Sequence, residues 1–80
     1  MSAQDVEVKV REIVAHILRV PPEQLRTETR FREDLGAESL SLVELIYELE
    51  QEFDITIPDE RAQKVRTVGE AIAALADAKR

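Results

Sequence analysis

An all-α domain is what this 80-residue chain predicts, and three observations lead there. Apolar residues recur at helical spacing in three separate segments. A proline pair, capping residues and polar stretches bound those segments. A chain this short builds a single modest core, here mostly aliphatic, since Phe31, Tyr47 and Phe53 are the only aromatics. Three longer helices, one short helix and a long first loop make a small four-helix bundle, with residues 1–80 as one domain.

Each element has its own signal. Val6, Val10, Ile13, Val14 and Ile17 set a first helix over about residues 4–18, and Pro21-Pro22 stops it. Residues 19–38 form a long connection anchored by Leu25, Phe31 and Leu35, with one helical turn expected at 22–25. At about 100° per residue, Leu42, Ile46, Leu49 and Phe53 share a core face on a second helix, 39–53, with Leu45 beside it. Residues 54–58 read as extended. A short third helix is expected from Asp59, as its cap, to residue 64 or 65. Thr67-Val-Gly-Glu70 has the spacing of a capping box and opens the fourth helix. Val68, Ile72 and Leu75 form its buried stripe, supported by Ala71 and Ala76.

Charge is unevenly spread. Residues 33–60 hold ten acids and no Lys or Arg, so with a net charge of −6 the rest of the chain sums to +4. An acidic block framed by basic ends points to a partner with a basic surface and away from nucleic acid. Leu40, Val43 and Tyr47 fall roughly 90° to 150° from the core face, with Glu44 and Glu48 beyond them. They are read either as peripheral core or as a docking strip edged by carboxylates. With Glu38, Glu50 and Asp59 they make up the expected partner-docking surface.

Cysteine is absent, which excludes disulfides and thiolate chemistry. The single histidine, His16, is read as a boundary residue of the first helix. With no cysteine, no glycine-rich phosphate loop and no histidine placed to partner a serine, no catalytic residues are expected. Asp54, Asp59 and Glu60 lack the spacing of a calcium loop, so no metal site is expected. No apolar run approaches the roughly 18 residues that span a bilayer. The opening Met-Ser-Ala-Gln-Asp-Val lacks the regions of a signal peptide, and a cytoplasmic monomer is expected.

The most informative stretch is Asp34-Leu-Gly-Ala-Glu-Ser-Leu40. Glycine loosens the backbone just ahead of the second helix, which leaves Ser39 exposed at its N-terminus. An anion on that serine would meet free N–H groups and the positive end of the helix dipole. The motif closely resembles the phosphopantetheine attachment site of acyl carrier proteins, and the resemblance runs through FREDLGAESLSLVELIYELEQEFDITIPDE. It implies that a phosphopantetheinyl transferase moves 4′-phosphopantetheine from coenzyme A onto Ser39, with Mg²⁺ neutralising the phosphates. It also implies acyl groups held as thioesters and passed between acyl-processing enzymes of fatty-acid synthesis or a related pathway. A specialised carrier of polyketide, lipid-A-type, aminoacyl or peptidyl cargo is the alternative, as is an unmodified helical scaffold. Two departures from the motif stand out. Glu38 replaces the usual aspartate, and Ser41 stands where an acid is common. Ser41-Leu-Val-Glu44 spells a capping box of its own, so a start at Ser41 competes with the expected start at Ser39.

Overall fold

The computed structural model describes residues 3–78. Among the described residues four α-helices follow in order, α1 (Ala3–Leu18), α2 (Ser39–Phe53), α3 (Asp59–Ala62) and α4 (Val68–Ala78), with a 3-10 turn at Pro22–Gln24. Val10 and Val14 of α1, Leu45 and Leu49 of α2, and Val68 and Leu75 of α4 are essentially solvent-free and meet in one core. Leu25 and Phe31 from the long loop, together with Ile57 and Val65 around α3, close that core.

The helix ends show how a chain with two glycines terminates its helices. Arg19 and Asp54 adopt left-handed φ values of 58° and 53° just past α1 and α2. Val20 N–H then donates to the Ala15 carbonyl, and Ile55 N–H to the Glu50 carbonyl, each at 3.1 Å. These are Schellman closures without the usual glycine. Helix α3 is shorter than the sequence suggests. Beyond Ala62 the chain tightens, with Lys64 N–H donating to Arg61 and Val65 N–H to Ala62 at 3.1 Å. Asp59 does not cap it either. Pro58 occupies the cap position without a side-chain bond, and its carbonyl accepts from Arg61 and Ala62 at 2.9 Å.

The start of α4 bears out the capping box, with one displacement. Thr67 Oγ1 accepts from Glu70 N–H at 3.1 Å, but Glu70 Oε1 reaches back to the N–H of Arg66 at 3.0 Å rather than to Thr67. The buried face of α4 is Val68, Ala71, Ala74 and Leu75. Ile72 is half-buried and Ala76 is exposed, so Ala74 takes the place expected for Ala76. On α2 the buried face is likewise turned toward Leu45. Leu45, Leu49 and Phe53 are buried, whereas Leu42 and Ile46 are half-buried because they border a cleft.

The long loop is tied down by main-chain bonds to the α3–α4 connection and the first residues of α4. Phe31 N–H donates to the Arg66 carbonyl at 2.9 Å, Val68 N–H to Thr29 at 3.1 Å and Gly69 N–H to Thr27 at 2.8 Å. A Cβ at Gly69 would sit 3.0 Å from the Thr27 carbonyl oxygen, so only glycine permits that approach without displacing the loop. The loop is therefore part of the packed domain and positions what it carries.

Candidate functional site

Helix α2 begins at Ser39, which settles the competing starts: the Glu38 carbonyl accepts from Leu42 N–H at 3.1 Å as the first helical bond. Glu38 is extended (φ −94°, ψ 167°), and its carboxylate makes no capping bond. The extra methylene of glutamate accounts for this, since Asp and Asn reach the first-turn N–H groups more readily. No acid lies in the first turn. The positive end of the helix therefore faces outward without a side-chain acceptor at the cap position, beside a serine that is exposed.

Residues 30–37 shape the approach to that serine. Asp34 Oδ2 accepts from Arg30 N–H at 2.8 Å, and its other oxygen pairs with the Arg30 guanidinium at 3.2 Å. The Arg30 main-chain N–H, followed by its side chain, holds the Asp34 carboxyl below the usual carboxylate range. Asp34 thus braces the loop. Gly36, at φ 67°, lets the chain reverse, with Gly36 N–H donating to Arg32 at 3.0 Å and Ala37 N–H to Phe31 at 2.9 Å. The result brings Arg32 over α2, where its Nη2 donates to Ser39 Oγ at 2.9 Å. Sequence reasoning missed this contact. Its partners are seven residues apart across an irregular turn, a separation no helical or strand period marks.

Ser39 also lines an open cleft of about 880 Å³. Leu42, Val43, Ile46 and Tyr47 form its α2 wall, with Phe31 and Arg32 from the loop and Ile57, Ala62 and Val65 opposite. The lining is mixed: to these apolar walls Glu33, Glu50 and Asp59 add carboxylates, and Arg66 adds a second cation beside Arg32.

The other expected site residues divide into two groups. Leu40, Val43 and Tyr47 are 67%, 64% and 57% exposed, which places them on the surface rather than in a peripheral core. Glu38, Glu44, Glu48 and Asp59 are exposed as well. Glu50 differs. It is half-buried, and its Oε2 accepts from Ile57 N–H at 2.7 Å, so that carboxylate fastens the extended 54–58 segment to α2. Elsewhere the basic ends neutralise part of the acidic block, through Lys9–Glu52 at 2.9 Å and Arg30–Asp34. Glu44 and Glu48 make no ion pair among the described residues. His16 is exposed in the last turn of α1 and does not line the cleft that holds Ser39. Among the described residues, no helix is long and apolar enough to cross a membrane.

An exposed hydroxyl beside a cation, at an outward helix N-terminus, fits a phosphate ester. Comparison with known proteins agrees. A family model described as "Phosphopantetheine attachment site" matches residues 8–75. The chain is similar to the acyl carrier protein of Wolinella succinogenes, 49% identical over 63 residues, covering 79% of this chain and 83% of that protein. It is 47% identical over 72 residues to the acyl carrier protein of Chlorobium phaeobacteroides, covering 90% and 92% of the two chains. Its fold superimposes on the acyl carrier protein from Enterococcus faecalis with a TM-score of 0.82 and 33% identity, over 98% of this chain and 99% of that one.

Proposed function

The chain belongs to the acyl carrier protein family, and on that premise we propose that Ser39 is the residue that bears its 4′-phosphopantetheine. The protein is a carrier rather than a catalyst and works with acyl-processing enzymes. When bound, the prosthetic arm supplies a terminal thiol on which acyl groups ride as thioesters. The chain's own residues do the rest. One observation carries the assignment to Ser39: an exposed hydroxyl at the first position of α2, in the turn the family motif marks, with a guanidinium on its oxygen.

Ser39 Oγ would form the ester to the pantetheine-side phosphorus as the pyrophosphate bond of coenzyme A breaks, adenosine 3′,5′-bisphosphate leaves with the bridging oxygen, and the hydroxyl proton passes to the transferase or solvent. The phosphopantetheinyl transferase that performs this step is the first proposed partner. The cleft beside Ser39, with apolar walls at Leu42, Ile46 and Ile57, is suited to sheltering an acyl chain between visits. Fatty-acid synthesis is the proposed pathway, supported by the strongly acidic stretch that contains α2. The protein is proposed to act as a cytoplasmic monomer. Intact-mass analysis after incubation with a transferase and coenzyme A tests the attachment, with peptide mapping to locate it. A gain of one arm on the peptide that contains Ser39 is expected. No gain would leave the unmodified scaffold as the better reading.

Partner enzymes are proposed to dock on Leu40, Val43 and Tyr47, flanked by Glu38, Glu44, Glu48 and Asp59. These apolar side chains are exposed, and Glu44 and Glu48 carry uncompensated charge. Replacing both Glu44 and Glu48 by Lys should slow association with a basic-faced partner by about tenfold or more at low salt, through lost steering. Helical content by circular dichroism should not change, because both side chains are exposed. Unchanged partner kinetics would count against this strip.

A further inference from the structure

Arg32 stands apart from the other loop arginine near the site. Arg30 is committed to Asp34 and Glu33. Arg32 makes no ion pair among the described residues, and its guanidinium instead donates to Ser39 Oγ at 2.9 Å. The loop fixes its backbone: the Arg32 carbonyl accepts from Gly36 N–H, and neighbouring Phe31 is fully buried. Glu33 and Glu38, exposed nearby in the chain, make the surroundings acidic, which favours a cation there and would repel an incoming phosphate that no cation answered.

We propose that Arg32 is the resident counter-ion of the phosphodiester on Ser39 and orients the first segment of the arm along the loop wall of the cleft. The proposal rests on Ser39 being the attachment point. Before attachment, the guanidinium bonds the hydroxyl oxygen. Once that oxygen is esterified it becomes a poorer acceptor, and the charged non-bridging oxygens lie one bond further out. A guanidinium suits this exchange because its several donors span a planar fork that matches phosphate oxygens. The α2 N-terminus, whose cap position supplies no side-chain bond, adds main-chain donors on the other side. Without the cation, the surrounding carboxylates would push the phosphate and its arm away from the protein. With it, the arm leaves Ser39 beside the cleft that both residues line. Arg32 is a positioning residue, since it acts on the arm and not on the thiol chemistry.

The test is ³¹P nuclear magnetic resonance on the loaded protein, comparing wild type with Arg32→Gln and Arg32→Lys. Arg32→Gln should move the phosphodiester resonance toward that of the same diester in loaded protein unfolded by urea. It should also reduce the ratio of held to free arm by about two- to fivefold, the range for an exposed charge pair. Arg32→Lys should restore part of the shift, since it keeps the charge but loses the fork. Should Arg32→Gln resist loading, the guanidinium nitrogen signals of wild-type Arg32 serve instead, and they should shift between unloaded and loaded protein. Loaded protein whose phosphorus spectrum, or whose Arg32 signals, are indifferent to this pairing overturns the counter-ion. Failure of the wild type to gain any arm on Ser39 overturns the attachment reading itself, and this inference with it.

Discussion

Phe31→Ala should cost about 3–5 kcal/mol of folding free energy, read from urea denaturation, the range for removing a fully buried aromatic side chain. For a domain of this length, total stability is on the order of 4–12 kcal/mol, so the variant approaches the edge of folding. The effect is notable because Phe31 lies in the long loop and not in any helix. Its side chain is solvent-free, its N–H donates to Arg66 at 2.9 Å and its carbonyl accepts from Ala37 at 2.9 Å. Emptying that position removes packing from the junction of the loop, the cleft and the start of α4. The neighbouring Arg32 would lose its placement over Ser39 as well. Phe31→Leu, which keeps most of the volume, should cost less than about 1.5 kcal/mol and leave the fold assayable. A loss below about 1 kcal/mol for Phe31→Ala would mean that the loop is a surface connection the core does not need.

That loop also marks where the sequence was least legible. The helices themselves were readable because periodic apolar residues and their breakers are local signals: α2 runs over Ser39–Phe53 as expected, and α1 begins within a residue of its expected start. The finer errors have tertiary causes. The buried face of α2 is turned toward Leu45 because the cleft leaves Leu42 and Ile46 half-covered. Ala74 is buried and Ala76 exposed because the neighbours of α4, not its own periodicity, decide which small residue is covered. Arg19 and Asp54 closing helices in left-handed conformations had no glycine to announce them. At the candidate site, the exposed place of Ser39 at the start of α2 was legible from the sequence, whereas Glu50 as a brace for Ile57 and Arg32 as a donor to Ser39 were not. Both are contacts between a helix and irregular chain, where separation along the sequence carries no period.

Ser39→Ala should separate function from folding more sharply than any other single change. Intact mass should show no arm after prolonged incubation with transferase and coenzyme A, and transfer of acyl groups should be lost entirely, because alanine has no oxygen to esterify. Stability should move by no more than about 0.5 kcal/mol, the usual range for an exposed position outside any network. The structure supports that indifference. Ser39 is exposed, the cap position of α2 makes no side-chain bond, and the hydroxyl's contact is with Arg32 on the surface. Alanine is moreover a better helix former than serine, which offsets the lost hydrogen bond. Two outcomes would overturn the reading in different ways. If the alanine variant still gains an arm, attachment lies elsewhere, and Ser41, half-buried two residues on, becomes the residue to test. If it instead melts with a loss above about 1 kcal/mol, the hydroxyl is a structural cap of the kind serine often provides at a helix start, and its exposure to solvent has been misjudged.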